Sequence, residues 1–286
     1  MAITESPPGG TRVACAQLAP IFGDVDGNRT RAAEAVETAA RTGADIVVLP
    51  ELCTTGYAFA DESEARELGE PADGPTLAQW RALAAAHGLV IVGGFCELDA
   101  EGTPRNSALI VDQDGTSRVY RKTHLWDREQ LIFVAGTEPP PAIDTSAGRL
   151  GIAICYDAFF PEVMRALALA GADVIAVPMN SPVIESPTEP LTAEVVLALA
   201  SAQVNRVFVA QADRDGSERG IRWANASAIC DPDGRLLAGP VTGPALLTAA
   251  CDLERARDKA LGARNHVIAD RRPDLYATTT DKETVN

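Results

Sequence analysis

The stretch Arg149–Arg165, RLGIAICYDAFFPEVMR, decides how this chain is read. Its first part, RLGIAIC, is a short apolar run of strand length. PEVMRALALA, from Pro161, opens with a proline suited to a first helical turn and continues in good helix formers. Cys155 therefore stands at a seam between strand and helix. A seam of that kind points the backbone N–H groups after the cysteine outward, where they can hold a developing oxyanion. The partial positive charge there also favours a thiolate. The competing assignment is a small core residue that ends a strand. The Tyr-Asp that follows at once, and the FPE after it, favour the nucleophile.

Working outward, the same alternation fills the chain. VACAQL (13–18), DIVVLP (45–50) and LVIVGGF (89–95) read as strands. Between them lie helical patterns at RTRAAEAVETAART (29–42), capped by Asn28, and TLAQWRALAAAH (76–87). NSALIVDQDGTSRVYRK (106–122) is a hairpin, because Asp-Gly separates two alternating runs. Past Cys155 come the strands DVIAVP (173–178) and RVFVAQA (206–212), with the helix LTAEVVLALASAQV (191–204) between them. A second Asp-Gly hairpin, ASAICDPDGRLLAG (226–239), and a late strand, ALLTAACDL (245–253), complete the pattern. NSPVIESPTEP (180–190) reads as a surface loop, and ERARDKALGARNHVIADRRPDLY (254–276) as an arm that packs on a partner or wraps its own domain.

There is an internal echo. ARTGADIVVLPE from Ala40 resembles ALAGADVIAVPM from Ala168, and the hairpin glycines 115 and 234 recur at a similar offset, 119 residues against 128. Two similar halves, each a sheet covered by helices, would pack sheet on sheet. The expected fold class is thus α/β, a four-layer α-β-β-α sandwich with two mixed β-sheets. TEPPPAIDTSAG (137–148) is too short to act as a linker, so one domain is expected over 1–286, with loose termini at about 1–11 and 277–286.

Of the 286 residues 46% are apolar, and the formal net charge is −15. A chain this acidic repels phosphate backbones and anionic lipid, which argues against nucleic acid and membrane surfaces as partners. It holds no run of 18 apolar residues and no basic, apolar leader, so a cytoplasmic location with reduced thiols is expected. The six cysteines (15, 53, 96, 155, 230 and 251) form no CxxC, and the three histidines (87, 124 and 266) show no ligand spacing. Neither a metal nor another cofactor is expected.

A nucleophilic thiol needs a base. YRKTHLWDREQ (120–130) offers Lys122, His124 and Glu129, with Lys122 and His124 on one face of an extended run. Glu51 closes DIVVLPE directly behind a proline. At the end of a buried strand its carboxylate would be partly desolvated, which raises its pKa toward that of a useful general base. Asp157 suits the turn more than acid–base work.

Together these segments resemble the nitrilase superfamily of carbon–nitrogen hydrolases. VVLPELCTTGY, YRKTHLWDRE and ICYDAFFPE are similar to the segments that hold the family's Glu–Lys–Cys triad. The resemblance thereby implies Glu51, Lys122 and Cys155, with Glu129 as a second glutamate near the lysine. VACAQLAP, NASAICDPDGRLLA and RRPDLY extend the resemblance over nearly the whole chain. Two departures stand out. Ser201 and Val204 replace an arginine and a glutamate usual in one family helix, though Asn205 remains, and VPMNSP lacks a tryptophan often found after its asparagine. These leave the triad alone and bear on pocket shape and subunit contacts.

The resemblance implies hydrolysis of a small carboxamide through a cysteine thioester, with the Tyr156 N–H in the oxyanion hole. Tyr57, Trp126 and Asn180 are candidates for the pocket lining, and equally for packing. The Cys-Tyr-Asp sequence favours amides over nitriles, for which Trp-Glu is typical. N-carbamoyl amino-acid hydrolysis and nitrile hydrolysis are the alternatives; from another class, a binding or assembly module without turnover. The partners implied are a small amide substrate and further copies of the chain, as a homodimer or larger homo-oligomer.

Overall fold

The computed structural model describes residues 10–183 and 191–276. The expected loose ends at 1–9 and 277–286, and most of the expected 180–190 loop, lie outside the described residues. Thr11, placed in the loose N-terminus from sequence, instead opens the first strand.

The first half runs β1 (Thr11–Gln17), α1 (Val25–Arg41), β2 (Ile46–Val48), α2 (Glu62–Leu68), β3 (Glu70–Pro71), α3 (Pro75–His87) and β4 (Val90–Leu98), then the hairpin β5 (Pro104–Val111) and β6 (Ser117–Arg121). The second half runs β7 (Ala142–Thr145), β8 (Gly148–Ile152), α4 (Pro161–Leu169), β9 (Val174–Pro178), α5 (Ala193–Asn205) and β10 (Phe208–Ala212). A small hairpin, β11 (Ser217–Glu218) and β12 (Ile221–Arg222), precedes a longer one, β13 (Ala228–Cys230) and β14 (Leu236–Ala238). Strand β15 (Ala245–Cys251) returns to pair antiparallel with β1.

One sheet has the order β15-β1-β2-β4-β5-β6, with β3 on β4; the other has the order β14-β13-β10-β9-β8-β7. Each is mixed. Strands β1, β2 and β4 are parallel in the first, β8, β9 and β10 in the second, and antiparallel strands flank both triplets. The echoed segments thus end in equivalent strands: β2 and β9 are each the middle member of a parallel triplet, and each half follows its triplet with a hairpin.

Strand alternation builds the layers. Val13, Cys15, Ile46, Val48, Val90 and Val92 face the second sheet, packing in one core with Ile152, Val174 and Val209. Their neighbours Ala14, Ala16, Val47, Leu49 and Ile91 face the other way, against Ala32 and Val36 of α1 and Trp80 of α3. Side chains at i and i+2 share a face, so one strand serves two layers. Helices α4 and α5 cover the second sheet through Met164, Leu167, Val195 and Ala202. The result is the four-layer α-β-β-α sandwich.

Several local expectations need correction. Helix α1 starts three residues before Asn28, at Val25, and its cap is Asp24, whose side chain accepts from the Gly27 N–H. Asn28 is buried inside the helix and bonds the Ile21 backbone and the Thr54 carbonyl. At the head of the supposed surface loop, Asn180 and Ser181 are buried. The C-terminal segment lies back on its own sandwich: α6 (Leu253–Arg257), the hairpin β16 (Ala260–Gly262) and β17 (Asn265–His266), and α7 (Pro273–Tyr276). Arg257 pairs with Asp173 at the start of β9, and Lys259 donates to the carbonyls of Asn205 and Arg206 at the end of α5.

One glycine is fixed by close approach. A Cβ on Gly94 of β4 would stand 2.6 Å from both Glu51 Cα and Leu52 N. Gly94→Ala should therefore push the chain after β2 away from β4. Overpacking of this kind costs about 1–3 kcal/mol, or a drop of roughly 2–5 °C in Tm for a chain of this size. A thermal melt followed by circular dichroism checks it.

Candidate active site

Four chain segments reach one end of the sandwich. Glu51 follows the end of β2, Lys122 the end of β6, Asn180 the end of β9, and Cys155 opens a short 3₁₀ turn, Cys155–Phe159, beyond β8. Sites at the carboxyl ends of parallel strands are the rule for open α/β sheets, because the chain leaves the core there.

Lys122 is the centre of the cluster. Its ammonium is fully buried and bonds Glu51 Oε1 at 2.6 Å and Glu129 Oε1 at 2.8 Å. Burial alone would favour the neutral amine, but the two carboxylates outweigh it and hold Lys122 protonated, above its ordinary range. Burial pushes the Glu51 carboxyl up to about 7, against the opposing pull of Lys122. Glu51 is asymmetric. Oε1 also accepts from Asn106 Nδ2 at 2.7 Å, while Oε2 is buried with no hydrogen-bond partner among the described residues. That free oxygen is the one available to take a proton.

The Cys155 thiol faces the Asn180 carbonyl at 3.9 Å and is coupled electrostatically to Glu51, Lys122 and Glu129. The cysteine has φ of 44°, a left-handed conformation that costs a non-glycine residue about 1–2 kcal/mol. Asp157 holds it there. Its buried carboxylate accepts from the Ile154 N–H at 3.0 Å, from the Tyr120 hydroxyl at 2.8 Å and from the Thr123 hydroxyl and His124 N–H at 3.0 Å each. His124 is spent on this turn as well: its Nδ1 lies 2.8 Å from Asp157 and its ring stacks on Phe160. It is not the base.

The expected thiolate needs correction. Burial, then the Glu51 charge, pushes the Cys155 thiol well above its ordinary range, and the pull of Lys122 does not compensate. A five-residue turn contributes little dipole, so desolvation wins. The surroundings of Cys155 therefore favour the neutral thiol.

The structure divides the expected pocket residues. Tyr57, Trp126 and Glu129 line a cleft of about 730 Å³, whose walls include Phe59, Ile132, Phe133 and Pro182. Asn180 and Tyr156 are not in that lining. Asn180 is buried and donates from Nδ2 to the Glu51 carbonyl at 2.8 Å, so it fixes Glu51 relative to the Cys155 thiol. The Tyr156 ring meets Trp126 edge to face at 4.8 Å. Tyr57 does more than line the cleft: its hydroxyl donates to Glu129 Oε1 at 2.6 Å.

Three site residues escape sequence reasoning. Asn106 binds the Glu51 carboxylate, and its carbonyl accepts from the Lys122 N–H at 2.8 Å. Its only sequence signal is a polar residue on the inward face of a hairpin strand. Glu218 accepts from the backbone N–H groups of Tyr57 and Ala58 and pairs with Arg214, whose guanidinium lies 4.6 Å over Trp223. The loop that presents Tyr57 is therefore clamped from the opposite half of the chain.

Residues 12–260 match the sequence profile of the carbon-nitrogen hydrolase family. A nitrilase of Pyrococcus abyssi is 35% identical over 267 residues, covering 93% of this chain and 98% of that relative. The human deaminated glutathione amidase is 34% identical over 270 residues, covering 88% and 80%. The crystal structure of Saccharomyces cerevisiae Nit3, a member of branch 10 of the nitrilase superfamily, superposes with a TM-score of 0.77 at 26% identity, covering 86% of this chain and 92% of that one.

The cysteines supply a test of this geometry. Cys155 is 8% exposed and the other five are 0% exposed. Iodoacetamide on the folded protein, with peptide mass mapping, should modify Cys155 first, and Glu51→Gln should slow that step. Earlier labelling of any other cysteine would contradict the arrangement.

Proposed function

The chain belongs to the carbon-nitrogen hydrolase family, and from that premise we propose that it hydrolyses a small carboxamide through a cysteine thioester. The observation that carries this is the buried Lys122 ammonium held between Glu51 and Glu129, with the Cys155 thiol in the same electrostatic cluster. Glu51 takes the thiol proton on its free oxygen as sulfur adds to the amide carbon. The tetrahedral oxyanion is held by Lys122 and the Tyr156 N–H. Glu51 then gives its proton to the leaving nitrogen, ammonia departs, and the acyl group remains as a thioester on Cys155. Water attacks the thioester, Glu51 again accepting a proton, and the carboxylic acid leaves with the thiol restored.

Concerted transfer is what a neutral thiol requires, since a free thiolate beside two carboxylates would be costly. Glu129, fixed by Tyr57, orients Lys122 and the substrate amide. Cys155-Tyr156 favours amides over nitriles, and the similar human protein is named an amidase; the similar archaeal one is named a nitrilase, so nitriles and carbamoyl compounds belong in the substrate panel.

Ammonia release from a panel of linear amides tests the proposal. Cys155→Ala is expected to lose at least about 10⁴-fold in kcat. Lys122→Gln is expected to lose about 10²–10³-fold, and some stability, because it leaves two buried carboxylates uncompensated. Release unchanged in Cys155→Ala would reject the mechanism, and release from none of the compounds would favour a binding role.

The pH profile follows from the base. Glu51 must be ionised to accept the proton, and its carboxyl titrates at about 7. Activity, kcat/KM, should therefore be level above pH 7 and fall as pH drops through 7, approaching tenfold per unit below it. A profile flat down to pH 5 would exclude Glu51 as the base.

A further inference from the structure

Asn106 has no part in the reaction as written, yet it touches both the carboxylate and the lysine. From β5 its Nδ2 donates to Glu51 Oε1 at 2.7 Å, and its carbonyl accepts from the Lys122 N–H at 2.8 Å. The second bond continues the β5–β6 ladder beyond the Ser107–Arg121 pair, so any residue could supply it. The first needs a side-chain donor of this length. The other end of the amide gains nothing: Oδ1 is buried without a hydrogen-bond partner among the described residues. The amide cannot turn over to help Oδ1, because two acceptors would then face each other at Glu51. A buried polar atom left unmatched works against stability, and a leucine of nearly the same size would avoid it. What Asn106 offers in return is its bond to Glu51.

That bond acts on the carboxylate in two ways. Oε1 already accepts from the Lys122 ammonium at 2.6 Å, and the amide fills its remaining lone pair. A proton placed on Oε1 would have to displace one of these donors, so it goes to Oε2. The bond also favours ionised Glu51 over its protonated form, against burial and the Glu129 charge. Of the other titratable groups around Glu51, Lys122 stays charged near neutrality. The Cys155 thiol and the Tyr57 hydroxyl, both pushed up by burial, stay neutral there, and Glu129 is paired with Lys122.

We infer that Asn106 is a positioning residue for the reaction, directing the transferred proton to Oε2 of Glu51 by occupying Oε1. This rests on the amide reading above in one respect, that Glu51 is the base.

Asn106→Leu tests it, since it keeps the backbone bond to Lys122 and removes the donor. Glu51 then loses a bond made to its ionised form, so its pKa rises. The acid limb of kcat/KM should move from near 7 to higher pH, by about one unit, the weight of one hydrogen bond to a charged group. Well below the limb that is a loss about tenfold greater than on the plateau. Iodoacetamide alkylation of Cys155 should show the same displacement with no substrate present. In the Glu51→Gln background Asn106→Leu should change alkylation by less than about twofold, because Asn106 acts through Glu51. Ser107→Ala is the control. It removes a buried bond to Glu97, 2.6 Å long, from the opposite face of β5, and should lower Tm with the limb in place. Asn106→Ala is the second variant.

A wild-type limb that neither Asn106→Leu nor Asn106→Ala displaces would overturn the inference and leave Glu51 as the base. So would an effect of Asn106→Leu on alkylation that persists in full beside Glu51→Gln. Loss of the fold in both variants would assign Asn106 to stability alone and overturn it too. Absence of an acid limb in the wild type, or alkylation indifferent to Glu51→Gln, would sink the base and the inference with it.

Discussion

A lysine ammonium with no exposure to water is the constraint from which the site follows. Isolated in the interior, it would lose its proton or unfold the chain. It stays charged because Glu51 and Glu129 each lie within 2.8 Å, and those carboxylates are tolerable inside only because the ammonium is there. The three groups form a unit that cannot be assembled piecemeal. One cation facing two carboxylates leaves a surplus of negative charge, so one of the carboxyls is forced toward the proton. It is Glu51, the one with an unpartnered oxygen and a pKa near neutrality.

That surplus also acts on the Cys155 thiol. A seam between strand and helix is a good place for a thiolate when the helix is long and the site wet. Here the turn is short, the sulfur is nearly buried, and the nearest charges sum to negative. These surroundings hold the thiol toward its protonated form. Such a cysteine resists stray oxidation and metal capture, both of which need the thiolate, and its reactivity depends on the base beside it.

What could be read from the sequence was local. The seam at Cys155, the carboxylate behind Pro50, the Asp-Gly hairpins and the alternation of Val13 to Ala16 are each decided within a few residues. What was missed depends on distance along the chain. Asn106 reaches Glu51 across 55 residues, and Glu218 reaches Tyr57 across 161. No spacing rule announces such pairs. Asn180 fits either pocket lining or packing from its local sequence, and only its bond to a carbonyl 129 residues away decides for packing. Asn28 failed as a cap for a different reason: Asp24 also fits a helix start, and only the burial of Asn28 against Thr54 chooses between them.

The two halves of the sandwich explain why the chemistry lies where it does. Strands β2 and β9 carry the echoed segments, and the chain leaving each meets the other across the sandwich, where the Glu51 N–H donates to the Met179 carbonyl at 3.3 Å. The first half brings Glu51, Lys122 and Glu129; the second brings Cys155, Asn180 beside it and the Arg214–Glu218 clamp on the Tyr57 loop. Neither sheet alone holds a complete set. The geometry of the site is therefore tied to the packing of one sheet on the other, as in the Glu51–Met179 backbone bond and the bond from Asn180 to the Glu51 carbonyl. A perturbation of the core between the sheets is felt at the site even when no site residue is touched.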